Sequence, residues 1–297
     1  MTKINFYHSL IFFNLCITLA GIEYLREGSF LIISLFLILT IGISHGSLDH
    51  IKGKKLIKYL GYKSISVFYL GYIFVGIITI IIWLIFPKFL LFLFLIIAAF
   101  HFGKEDSEFI DKKKKFELVY FLKGSLIIIA PLFFHKEETL EIFETLNFNI
   151  SNSFIIANEI LIIFILLSLV SGVFLSLKKS IEVKSLLLMD YLSILVLNYF
   201  LNPIIAFTVY FCFLHSIRHS MSLINEINKN LKKGLPIFIK KALPLTILTI
   251  IGYILSILVL NNYNELNETI YQVIFIGLAS LTFPHILLEY LIEKNEQ

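Results

Sequence analysis

Apolar runs of roughly 18–25 residues recur from one end of this chain to the other, each long enough to cross a bilayer's hydrocarbon core as a helix. No soluble core needs so many, and no chain of this kind can leave them in water. Of the 297 residues 58% are hydrophobic and only 15% charged, which excludes disorder and a soluble globule. The strict alternation of an outer-membrane barrel strand is missing. No hydrophilic stretch is long enough for a separate domain. The expected fold is therefore all-α: a polytopic integral membrane helical bundle of about 8–10 transmembrane helices, forming a single membrane-embedded domain over 1–297.

Ten runs can be placed, at 7–24, 29–48, 64–86, 88–103, 116–134, 153–177, 185–201, 204–221, 242–260 and 269–291. The third and fourth meet at Pro87 and read either as two spans or as one kinked hairpin. Charge provides an independent check on this count. Lys52, Lys54, Lys55, Lys58 and Lys63 follow the second run; Lys104 and Lys112 to Lys115 follow the fourth. Lys178, Lys179 and Lys184 follow the sixth, and Lys229, Lys232, Lys233, Lys240 and Lys241 the eighth. The loops between offer only Arg26, Lys88 and Lys136. Such alternation places both termini on the cytoplasmic side of the cell membrane, in a multi-pass topology. It also makes the formal charge of +4 a topology signal, with no nucleic-acid partner implied. The first run resembles a signal peptide, but Thr18-Leu-Ala20 is a poor cleavage site, so a retained first helix is expected. The loop 137–152 is expected to be polar and outside. Cys16 and Cys212 both lie in apolar runs, so no disulfide framework is expected.

Within this apolar frame the histidines stand out. His215 and His219 are four residues apart in the eighth run, with Arg218 between them. On a helix such a pair shares one face. His45 and His50 close the second run, His101 the fourth, and His285 the tenth. All these runs point the same way, so six imidazoles are expected at one membrane depth; His8 and His135 stand apart. Ionisable groups at that depth are costly unless something satisfies them. His45, His101 and His285 each have a carboxylate four residues on, in Asp49, Glu105 and Glu289. A carboxylate on the same helical face can fix a ligating ring's tautomer. Taken singly, each histidine also has a structural reading, as an interfacial residue, a cap, or one member of a hydrogen-bonded pair. Taken together they suit an imidazole-bound Zn, Fe, Cu or Ni. Di-iron boxes need adjacent histidines, which are absent, and bis-histidine haem does not explain a chelating pair on one face. A histidine-relay transporter is a further alternative, weakened by the lack of inverted repeats, as is another haem or di-iron enzyme acting on lipid.

The set His45-Gly-Ser-Leu-Asp49-His50, His101-Phe-Gly with Asp106, His215-Ser-Ile-Arg-His219 and Pro284-His285 resembles the Brp/Blh family. That family comprises integral-membrane beta-carotene 15,15′-dioxygenases associated with microbial rhodopsins, and the resemblance runs over nearly the whole chain. It implies a non-haem Fe(2+) held by His45, His101, His215 and His219. It further implies O₂-dependent cleavage of beta-carotene into two all-trans-retinal molecules, with a functional link to a retinal-binding rhodopsin. Asp49, His50, Glu105, Asp106, Arg218, His285 and Glu289 are expected around those ligands. Arg218 should pair with Asp49, Asp106 or Glu289, because an unpaired guanidinium at that depth is costly. Phe100, Phe102, Phe207, Phe211 and Phe213 are expected to line the substrate slot. With the ligands near the inner ends of their helices, that slot should run obliquely or parallel to the membrane plane.

Overall fold

The computed structural model describes residues 2–22, 25, 30–110, 116–147 and 157–295; the side chain of His45, Arg26 and Lys112 to Lys115 lie outside the described residues. Helices form throughout, with no strand among the described residues. In chain order they are α1 (Thr2–Ala20), α2 (Leu31–Leu37), α3 (Asp49–Tyr59), α4 (Ser66–Ile85), α5 (Pro87–Glu105), α6 (Glu117–Phe134) and α7 (Lys136–Thr145). Then come α8 (Asn158–Ser176), α9 (Ile181–Phe200), α10 (Pro203–Val209), α11 (Ile217–Ile227), α12 (Leu231–Leu260) and α13 (Leu266–Asn295). Between α2 and α3 the backbone stays helical, as a π stretch Ile38–Gly42 and a 3₁₀ stretch Ile43–Leu48. A second π stretch, Tyr210–Ser216, joins α10 to α11.

Nine helical segments among the described residues are long and apolar enough to cross a membrane, within the expected range. The fold class is the expected one, all-α and polytopic. The third and fourth runs are separate helices, because α4 ends at Ile85 and Pro87 opens α5. Asn202 caps α10 by accepting from the Ile204 amide, with Pro203 at the first helical position, a pairing that suits the fixed φ of proline. Two boundaries differ from the sequence expectation. Residues 136–145 of the polar loop form α7, whereas residues 148–152 lie outside the described residues. The ninth run starts at Leu231, where Asn230 caps the Lys232 and Lys233 amides, so Lys232, Lys233, Lys240 and Lys241 belong to the helix. Outward faces are apolar: Leu70 and Leu84 on α4 are each 71% exposed, as suits contact with lipid.

Contacts divide the chain into two compact units interleaved in sequence. The first comprises Met1–Gly42, Leu95–Glu144 and Asn149–Ser222. In it α6 lies along α8, and α1 along α9, around a core containing Tyr120, Leu186 and Leu187. The end of α5 crosses α6 at backbone contact. A Cβ on Gly103 would lie 1.8 Å from the Tyr120 carbonyl oxygen, and one on Gly124 1.9 Å from that of Ala99. Only glycine fits at such a crossing. Gly46, the other glycine after a histidine, faces open space and permits no such approach. The second unit comprises Ile43–Phe94, Thr145–Phe148 and Leu223–Gln297. There α13 packs on α3 and α4, with Leu56, Ile57, Phe68 and Leu288 buried together.

Candidate functional site

In the first unit three short stretches bring the polar groups together. The end of α5 supplies His101 and Glu105, the turn after it Asp106, the π stretch Tyr210 and His215, and the start of α11 Arg218 and His219. A π stretch lets one helix aim side chains off the usual 100° step, and such stretches gather at functional sites. It also strands backbone carbonyls, which other side chains then satisfy. His8 Nε2 donates to the Phe213 carbonyl at 2.8 Å, and Ser216 Oγ to that of Gly42 at 2.9 Å. His8 is thus a structural donor inside this unit, although the sequence set it apart.

Each of two histidines has its Nδ1 turned to a carboxylate. His215 Nδ1 lies 3.0 Å from Asp106 Oδ1, and His219 Nδ1 lies 2.7 Å from Glu105 Oε2. Tyr210 donates its hydroxyl to the other Asp106 oxygen at 2.6 Å. A ring that donates from Nδ1 keeps its lone pair on Nε2, the tautomer a metal ligand needs. The Nε2 atoms of both rings are buried. His101 is buried too, with its ring centroid 5.3 Å from that of His215. Phe102 meets the His215 ring edge-on at 4.8 Å, and Phe211 stacks on it at 5.8 Å. Phe207 stacks in turn on Phe211. Those three phenylalanines form one aromatic wall. Phe100 instead packs in the cluster around Tyr120, and Phe213 contributes its backbone carbonyl to His8.

Arg218 corrects the sequence expectation. Its guanidinium grips Asp190 of α9, at 2.6 Å to Oδ2 and 3.0 Å to Oδ1. Ser9 of α1 bridges the same pair, accepting from Arg218 and donating to Asp190, both at 2.7 Å. The tie to Asp106 is only to its backbone carbonyl, at 3.4 Å. A buried ion pair repays its desolvation only with further hydrogen bonds, and Ser9 supplies them. Asp190 was absent from the expected site. A lone acid in an apolar run is itself a signal, and would have found it.

The second unit holds a similar arrangement on its own. His285 Nδ1 lies 2.8 Å from Asp49 Oδ2, which also accepts from the Tyr72 hydroxyl at 2.8 Å. His285 is buried, its Nε2 included. His50 Nδ1 donates to the Ser47 carbonyl at 2.9 Å. Lys52 bonds Glu289. The expected carboxylates are therefore engaged, but these pairs join different helices: Asp49 with His285, Glu105 with His219, and Glu289 with Lys52. The backbone of His45 lies in the 3₁₀ stretch; its side chain is outside the described residues. Among the described residues no three His, Cys, Asp or Glu side chains stand close enough together to enclose a metal ion. In kind, buried imidazoles with Nδ1 tied to carboxylates fit an imidazole-bound metal.

A family model described as beta-carotene 15,15′-dioxygenase matches residues 36–293. A protein of an uncultured marine bacterium, 66A03, named beta-carotene 15,15′-dioxygenase, is 29% identical over 263 residues. That alignment covers 86% of this chain and 91% of the relative. No solved structure matches.

Proposed function

The chain belongs to the beta-carotene 15,15′-dioxygenase family, and from that premise we propose that it cleaves beta-carotene with O₂ at the central double bond, giving two all-trans-retinal molecules. We propose His45, His101, His215 and His219 as the residues that hold a non-haem Fe(2+). When bound, the iron supplies the centre for dioxygen chemistry, since neutral imidazoles leave it its full charge. The observation that carries this reading is the paired orientation of His215 and His219, each with Nδ1 on its own buried carboxylate.

The remaining tasks fall to the protein. Asp106 and Glu105 hold the two rings and fix their tautomers. Phe102, Phe207 and Phe211 provide an apolar face beside His215 on which a polyene can lie, and they keep water away. With α1 counted as a further span beside the nine, the lysine alternation supports a cell-membrane location with both termini cytoplasmic, and the bilayer delivers an apolar substrate directly. Retinal released there would serve a retinal-binding rhodopsin. The transporter reading is set aside, because the match to a dioxygenase family covers residues 36–293 and so includes every histidine but His8.

Expression in bacteria that make beta-carotene tests the proposal. Loss of the orange colour with retinal accumulating is expected, and H215A or H219A should abolish both that loss and the iron content of the purified protein. Full iron content and turnover in either variant would overturn the ligand assignment. Purified protein that yields no retinal from beta-carotene under air would overturn the reaction.

A further inference from the structure

The first unit contains a second feature that the metal ligands leave unused. Between α6, α8 and α9 lies an open-sided crevice lined by charged residues of both signs. Its walls are mostly aliphatic, with Leu126, Ile127, Leu187 and Ile194 among them. Gly172 forms part of the lining, and a Cβ there would meet nothing within 4 Å. Lys123 of α6 projects from the same lining, together with Asp106 and Asp190.

Among the described residues the Lys123 ammonium makes no hydrogen bond or ion pair, whereas its charged neighbours are fully engaged. Asp106 is taken by Tyr210 and His215, and Asp190 by Arg218 and Ser9. Lys123 nonetheless feels Asp106, Asp190 and Arg218 through space. Arg218 and Lys123 against Asp106 and Asp190 are two charges of each sign, so this group is already balanced; Lys184, also in the lining, is exposed. An entering carboxylate or phosphate would upset that balance in a medium that screens poorly. A neutral ligand would not. What the crevice offers such a ligand is an apolar slot and two primary amines, of which Lys184 is exposed and Lys123 half-buried.

We infer that this crevice binds a long apolar aldehyde and that Lys123 captures it as an imine. The identity of that aldehyde as retinal rests on the cleavage reading above. Lys123, as free amine, adds its nitrogen to the aldehyde carbon. The carbonyl oxygen then leaves as water, and the C=N product retains one proton. Ammonium plus aldehyde thus gives iminium plus water, with atoms and charge conserved and no oxidant required. The iminium keeps the positive charge where the ammonium had it, opposite Asp106 and Asp190. Lysines shielded from water in apolar surroundings are the ones that form Schiff bases with carbonyl ligands. Such a site would hold a reactive product that otherwise enters the bilayer.

The test supplies all-trans-retinal directly to the purified full-length protein, without beta-carotene or oxygen. A red-shifted absorbance is expected, fixed by borohydride into a stable adduct that peptide mass mapping places on Lys123. K123R keeps the charge but not a competent amine, and should lose that adduct. G172L fills the crevice with Lys123 intact, and should reduce the adduct to the background of exposed lysines. Retinoate in excess should compete poorly. Labelling confined to exposed lysines, an unchanged yield in G172L, or strong displacement by retinoate would each overturn the inference. Because retinal is added as such, these outcomes are independent of cleavage. Protein that bleaches carotene yet forms no adduct sinks this inference alone; protein that forms the adduct yet never cleaves sinks only the cleavage reading.

Discussion

Asp106 and Glu105 decide the state of the two rings they face. Each accepts from an Nδ1, so losing the negative charge frees a ring to turn and lowers its basicity. D106N and E105Q should each reduce iron affinity or turnover about 10–100-fold while the protein still inserts in the membrane; metal analysis and retinal yield measure both. D106N also disturbs the bond from Tyr210, so its loss should be the larger. Unchanged iron affinity in both variants would show that the carboxylates do not orient ligands. His285 shares the same arrangement through Asp49 in the second unit. The histidines and the acids were thus legible in the sequence as residue types, but not their pairing. Spacing along one helix pointed to partners four residues away, whereas side chains turned into a helical interior meet those of neighbouring helices. Asp190 went unread because its partner Arg218 lies 28 residues on in sequence, with no periodicity to connect them.

At the scale of helices, nearly all the ten apolar runs and their breaks were readable, because a bilayer demands runs of one length. Their ends were not. Lysine-bearing turns such as 231–241 stay helical by laying their stems along apolar surface while the charge reaches out, so composition stops before the helix does. The π stretches were equally hidden, since nothing in Tyr210–Ser216 departs from an ordinary apolar pattern. Two predictions belong here. G124A places a Cβ against the backbone of Ala99 rather than against a flexible side chain, so α5 and α6 must separate. Overpacking of this kind costs about 1–3 kcal/mol or more, and a clear fall in thermal midpoint in detergent is expected. G172A, facing open space, should be neutral or stabilising by about 0.5–1 kcal/mol. Equal midpoints for the two would contradict the close crossing. Separately, H8A leaves the Phe213 carbonyl without its donor, which should cost about 1–3 kcal/mol of stability and leave iron stoichiometry unchanged. Loss of iron from folded H8A would instead make His8 part of the metal site.

For the molecule as a whole, the topology proposed from the lysine alternation orients every helix, and that orientation constrains how a long substrate can lie. His101 falls four residues before the end of α5, and His215 and His219 fall late in the apolar run 204–221, although His215 is at the middle of the longer helical segment Pro203–Ile227. Both segments run toward the side that the lysines mark as cytoplasmic. Iron held there would sit in the inner part of the bilayer. Beta-carotene is a stiff rod about as long as the hydrocarbon core is thick, roughly 30 Å. Upright, with its central bond at an off-centre iron, it would push one ring into the cytoplasm, at about 25 cal/mol per Å² of apolar surface exposed. Lying obliquely or flat, it keeps both rings in hydrocarbon. The polyene's strong absorption is polarised along its length, so linear dichroism can read the tilt. Oxygen-free enzyme loaded with beta-carotene in oriented bilayers should show the absorbing axis inclined well away from the membrane normal. An axis along the normal would mean that the iron lies at the midplane or that the helices are oriented otherwise. Labelling of the termini from either side of the membrane would then tell which.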